Sequence, residues 1–146
     1  MTAETAAPDG VPLRQGLFEH DADGGITLLG SRCGGCGTTY FPAHALCVRC
    51  FSAQQMRPAR LSRQGTVYTY SVVHQSTPEF PTPYVLAYVD LPEGVRVLAQ
   101  LAEVSPEAVR MGMPVELVAA RAKPAQAGTP DVLTFRFRPA REDNHD

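Results

Sequence analysis

Four cysteines in two pairs, Cys33-Gly-Gly-Cys36 and Cys47-Val-Arg-Cys50, carry the most specific chemistry in this 146-residue chain. Two Cys-x-x-Cys knuckles separated by ten residues have the spacing with which two tight turns grip one tetrahedral ion. With no fifth cysteine, four thiolates close the coordination sphere and leave no position for a substrate or a water. A structural Zn2+ held by Cys33, Cys36, Cys47 and Cys50 is therefore expected. The same thiolates also suit a single iron, and the sequence leaves zinc against iron open. Gly34, Gly35 and Gly37 allow successive backbone N–H groups to turn toward the sulfurs.

Two disulfides or a redox dithiol are the competing readings. The start of the chain, Met-Thr-Ala-Glu-Thr-Ala-Ala-Pro, has neither the basic stretch nor the apolar stretch of an export signal, which points to a reducing, cytoplasmic setting. A redox site uses one Cys-x-x-Cys at the start of a helix, whereas here two matched pairs flank a loop. His44 lies between the knuckles, but four sulfurs already fill the sphere, so it is not expected to be a ligand.

The elements that position these cysteines are short. Thirteen prolines, twelve glycines and no tryptophan favour many turns and a β-rich fold, and no apolar stretch is long enough to span a bilayer. Residues 1–10 read as a disordered lead, and Leu13 and Leu17 at i and i+4 predict one or two helical turns over 13–20. Ile26–Leu29 reads as a strand that delivers Cys33, and Thr38–Pro42 as its return. A ribbon of this size buries too little apolar surface to fold by area alone, so the ion would supply the missing free energy. Residues 51–60 suit a linker or a strand crossing between modules.

A different pattern starts at Gly65. Residues 66–75, 84–91 and 95–101 read as a three-strand meander rich in β-branched and aromatic side chains. Ser105–Arg110 has the N-cap, early proline and early acid of a short helix, with Gly112 as its terminator. Residues 114–121 and 131–138 complete the set. In the last, Leu133, Phe135 and Phe137 alternate with Thr134, Arg136 and Arg138. Five strands with a small helix between the third and fourth is the order of an OB barrel. The fold class is thus mainly β: lead, short helix and incoming strand over 1–30, metal ribbon and linker over 31–60, OB-fold over 61–140 and a loose tail over 141–146.

On these residues the chain resembles the DUF35 family, in which a rubredoxin-like zinc ribbon precedes an OB-fold. The resemblance spans roughly residues 11–139 and rests on Cys33-x-x-Cys36-Gly37, Phe41-Pro42, Cys47-x-x-Cys50, Gly65-Thr-Val, Pro83-Tyr84, Glu93-Gly94, Gly112-x-Pro-Val115 and Phe137-Arg-Pro139. The family often has a glycine after the fourth cysteine and a Phe-Trp pair near the N-terminal helix, where this chain has Phe51 and Leu17-Phe18. The resemblance implies a non-catalytic accessory subunit of an acyl-CoA enzyme: a thiolase-like acyltransferase, a hydroxymethylglutaryl-CoA synthase, an aldolase or a MaoC-type hydratase. Its role would be to complete the partner's surface, help seat the shared acyl-CoA, or let an intermediate pass between active sites.

The residues agree with that role chiefly by what they lack. There is no Ser or Cys nucleophile beside a base motif and no Gly-rich phosphate loop, so no catalytic residue is expected. Glu93 falls in a hairpin turn, where a solvated carboxylate is the default. Net charge is −2 but uneven, for residues 31–60 hold Arg32, Arg49, Arg57 and Arg60 and no acid. These arginines have two readings: contacts to CoA phosphates or an acidic partner, or compensation of the four thiolates, which suits Arg32 and Arg49 beside the ligands. The alternative function is single-stranded nucleic-acid binding, with Tyr68, Tyr70, Tyr84 and Tyr88 as stacking residues. Charge argues against it, because residues 61–146 carry eight bases against ten acids and the chain has a single lysine.

Overall fold

Alternation of small β-branched and aliphatic residues with polar ones generates ten strands in the computed structural model, which describes residues 11–12, 16–78, 82–121 and 132–140. In chain order they are β1 (Val11–Pro12), β2 (Phe18–His20), β3 (Ile26–Cys33), β4 (Thr39–Tyr40), β5 (Met56–Arg60), β6 (Gln64–Val73), β7 (Tyr84–Asp90), β8 (Arg96–Leu101), β9 (Pro114–Arg121) and β10 (Val132–Pro139). Strands β6, β7 and β8 form the antiparallel meander. Strand β10 then runs parallel to β8, with Phe137 opposite Leu101, and antiparallel to β9, whose start pairs with the start of β6. The five strands close on themselves as an OB-like barrel.

Period-two patterning fills its interior. Val85, Ala87 and Val89 of β7, Val97, Ala99 and Leu101 of β8, and Val115 and Leu117 of β9 are buried together with Leu133 and Phe137 of β10. Strand β3 belongs to a second sheet, pairing with β2 on one side and, further along, with β4 and β5. Its first half contributes Ile26 and Leu28 to the barrel's core, along with Phe18 of β2 and Leu61. The second half carries Cys33 out of that core to the knuckles.

Three local expectations change. Of the helix expected over 13–20, residues 13–15 lie outside the described residues, while Phe18–His20 is strand β2, paired with Leu28, Thr27 and Ile26. Gly16 at φ +85° turns the chain there, and an extended strand lets Phe18 enter the core, which a marginal helix would forgo. Between Ser105 and Arg110 only the 3₁₀ turn Pro106–Ala108 forms. Val109 is already extended, and its buried side chain joins the core. Residues 56–60 prove to be strand β5 of the ribbon, and β1 pairs in parallel with β10 at the barrel. The lead over 1–10 and the tail over 141–146 lie outside the described residues. Among the described residues no helix is long and apolar enough to cross a membrane.

Glu93 also departs from expectation. Its turn between β7 and β8 folds back on the segment entering the barrel, where Glu93 Oε2 accepts hydrogen bonds from Ser62 N–H at 3.0 Å and Ser62 Oγ–H at 2.7 Å. Glu93 Oε1 is buried without a protein partner. Glu93→Ala strands the Ser62 donors, so it is expected to lower stability by about 1–3 kcal/mol, read as a shift in the urea midpoint at constant m-value. A midpoint unchanged from wild type would show that the contact contributes nothing.

Candidate metal centre

The first knuckle hangs from the end of β3 and the second from the loop that leaves β4. Cys33 N–H donates to Thr38 C=O at 2.9 Å, and Gly34 N–H to Gln55 C=O at 2.9 Å, which fixes the first turn between β4 and β5. Gly37 N–H then donates to Cys33 C=O at 2.8 Å, with Gly37 at φ +82°. The second knuckle repeats this turn: Phe51 N–H donates to Cys47 C=O at 2.7 Å, and Phe51 stands at φ +61°.

The two turns face each other. All four sulfurs lie within 4.8 Å of one another, with Cys33 Sγ to Cys50 Sγ and Cys36 Sγ to Cys47 Sγ both at 3.5 Å. The cysteines are free thiols, so no disulfide explains the proximity. A tetrahedral ion with metal–sulfur bonds of about 2.3 Å sets its ligands about 3.8 Å apart, a few tenths of an ångström beyond these distances. The donor set fits such an ion, and Cys33 and Cys47 are buried while Cys36 and Cys50 face outward.

Neighbouring donors favour the thiolate form. Tyr40 Oη donates to Cys47 Sγ at 3.3 Å and, with the Cys50 backbone amide, draws the Cys47 thiol down to about 6. Thr38 Oγ1, 3.2 Å from Cys36 Sγ, lowers the Cys36 thiol in the same way. At Cys50 the Ser52 backbone amide favours ionisation, but Cys33 and Cys47 alongside outweigh it and push the thiol up to about 12. Four sulfurs at this spacing repel one another as anions, and a divalent cation resolves that conflict. Sequence reasoning placed Thr38 and Tyr40 only as strand residues. Their signal was position, since each precedes or follows a knuckle with a hydroxyl to donate.

The remaining candidates are scattered. His44 stacks on Tyr40, with ring centroids 4.5 Å apart, and its backbone bonds Ser31 Oγ, so its ring is a wall of the ribbon. Arg60 is committed within the chain, paired with Glu19 and with Asp21 at 2.7 Å. Arg63, which sequence reasoning passed over, joins it by pairing with Asp21 and, at 3.0 Å, with Asp23, whose carboxyl it holds below the usual range. Arg32 and Arg57 stand opposite each other in the β3–β5 register, and with Arg49 they have no acidic partner among the described residues. On the barrel, a register shift between Val67 and Thr69 leaves Tyr68 exposed beneath Arg96, whose guanidinium sits 3.4 Å from the ring centroid and also pairs with Asp90. Tyr88 is likewise exposed, whereas Tyr70 packs against the core and Tyr84 is half-buried.

Residues 26–56 match the family described as the ChsH2 rubredoxin-like zinc ribbon domain, and residues 59–120 match the ChsH2 C-terminal OB-fold domain. The chain belongs to the DUF35 family. Its relatives include a DUF35 domain-containing scaffold protein of Methanocaldococcus jannaschii, 41% identical over 113 residues that cover 76% of this chain and 79% of the relative. The benzoylsuccinyl-CoA thiolase subunit BbsA of Geobacter metallireducens is 34% identical over 132 residues, covering 90% of this chain and 88% of that subunit. Among solved structures, a chain of the Ltp2-ChsH2(DUF35) aldolase superposes with a TM-score of 0.65 at 33% identity, over 77% of this chain and 84% of that one. The DUF35 ribbon and barrel expected from the residues are thus both present, in that order.

Proposed function

We propose that this DUF35 protein is a non-catalytic accessory subunit of a CoA-thioester enzyme, of thiolase, aldolase or hydratase type. One observation carries the proposal: all four cysteines converge on a single cluster within 4.8 Å, which leaves a tetrahedral ion no open position for substrate. Cys33, Cys36, Cys47 and Cys50 hold Zn2+ as a folding element, and the chemistry belongs to the partner. The relatives named as a scaffold protein and as a thiolase subunit, and the aldolase assembly, support this division of labour.

The barrel offers surfaces for docking and for the acyl-CoA. A cleft of about 420 Å3 beside the β6–β9 pairing has Pro92, Pro114 and Gly65 on its apolar part, which suits an acyl or pantetheine chain, with Gln64, Thr66 and the Asp90 carboxylate also on its wall. Arg57 and Arg32 remain available for a phosphate or carboxylate, while Arg60 is engaged within the chain. The paired charge over Tyr68 favours a protein contact at that face over a polyanion.

The test is reconstitution. The tagged full-length chain, expressed in its source cells, should co-purify with a CoA-thioester enzyme and contain one zinc per chain by elemental mass spectrometry. That enzyme, expressed alone, is expected to lose most of its activity or solubility and to regain it when the chain is added. Full activity without the chain would defeat the proposal.

A further inference from the structure

The second knuckle carries two features that folding alone does not call for. Phe51 closes that turn at φ +61°, in the place that Gly37 occupies at φ +82° in the matching first turn. Glycine enters this region freely, whereas a side chain with a Cβ is strained there. Nor does the ring regain stability by burial, for Phe51 is 76% exposed. Because Cys47 turns inward to the cluster, its neighbours turn outward, and Leu46 and Val48 are 45% and 59% exposed. Three apolar side chains therefore project within six residues of one rigid turn.

Charge indicates what covers them. Arg49 lies in the same turn, and it shares with Arg32 and Arg57 the lack of an acidic partner among the described residues. Two like charges directly opposite on paired strands, as at Arg32 and Arg57, disfavour folding, and an outside anion would relieve that repulsion beyond what the thiolates beside Arg32 supply. Among the described residues a second copy has few acids to supply that anion: Glu19, Asp21, Asp23, Asp90, Glu103 and Glu116 are each already paired with an arginine of their own chain and Glu93 is turned onto Ser62, which leaves Glu107. Branched aliphatic side chains beside the ring also match a protein pocket better than a stack of bases.

We propose that the second knuckle is the anchor by which the chain seats on its enzyme subunit, with Phe51, Val48 and Leu46 entering an apolar pocket and Arg49 meeting carboxylates on the pocket's rim. The inference rests on the reading of the chain as an accessory subunit and names the surface that reading requires. Strain and exposure at Phe51 are the cost of presenting an aromatic anchor on a turn that metal coordination makes stiff.

The experiment measures binding of the full-length chain to the co-purified enzyme subunit by calorimetry, with metal content and melting temperature recorded for each variant. Phe51→Gly is expected to keep its metal and its melting temperature, because glycine suits the backbone, while its affinity falls about tenfold or more. Arg49→Glu should weaken binding to a similar degree and reduce its salt dependence, whereas Met111→Ser, an exposed position on the barrel, should bind as wild type. Wild-type affinity in Phe51→Gly overturns the proposal. Should Phe51→Gly lose its metal, Val48→Ser decides, and its binding at full strength overturns the proposal equally. Light scattering that shows a wild-type dimer dissolved by Phe51→Gly would assign the surface to a second copy, again against it. A wild-type chain that binds no CoA-thioester enzyme defeats the accessory reading itself, whereas variants that bind normally defeat the anchor alone.

Discussion

Cys33→Ser is expected to release the ion and unfold the ribbon while leaving the central barrel strands folded. Cys33 is fully buried at the end of β3, the strand that pairs with both β4 and β5. A serine hydroxyl does not ionise near neutral pH and sits short of the ion, so one of four bonds is lost and the other three are misplaced. The ribbon has little else to hold it. Between residues 31 and 60 the buried side chains are Ser31, Cys33 and Cys47, with no buried Leu, Ile, Val or Phe. Binding of structural zinc by such modules contributes about 10–16 kcal/mol, far more than an apolar core of that size could replace. Hydrogen exchange should show residues 31–60 losing protection in Cys33→Ser, and in wild type treated with a strong chelator, while 84–101 stay protected. Retained protection of the ribbon after the metal is stripped would mean that backbone pairing, and not the ion, holds it.

Phe137→Ala has the largest effect expected in the barrel, a loss of about 3–5 kcal/mol. Phe137 is fully buried at the seam where the sheet closes, opposite Leu117 on β9 and Leu101 on β8. Its carbonyl accepts Ala102 N–H at 2.7 Å, and its ring meets Phe135 edge-on at 6.5 Å. Truncation opens a cavity between two strands that have no other route to the same space, so the walls cannot collapse without separating. For a domain of this size the loss corresponds to a fall in melting temperature of about 10 °C or more, with the m-value kept in a urea titration. Phe135→Ala, at a half-buried ring that packs on Phe41, should cost clearly less. An equal cost for both would show that burial at the seam is not what decides.

The alternation of Leu133, Phe135 and Phe137 is legible in the amino-acid order alone, because a strand's two faces follow directly from its period. It predicts a common face but not the gradient along it, in which Leu133 and Phe137 are sealed and Phe135 is left half-open toward the ribbon. The helix expected over 13–20 fails for a related reason. Leu13 and Leu17 have helical spacing, yet Phe18 gains more as part of a strand that reaches the barrel core.

Cysteine spacing and two-residue alternation were enough to specify the cluster of four sulfurs and the barrel strands, since both act over a few bonds and need no distant partner. Packing between remote segments settled the rest: which strand closes the barrel, that residues 56–60 complete the ribbon, and that β1 joins the barrel sheet. The same packing withdrew Arg60 into a pair with Asp21, turned Glu93 inward onto Ser62, and left Phe51 outside. Each of these depends on register between segments far apart in the chain, and register is set by the packing of the whole core, which no local pattern encodes.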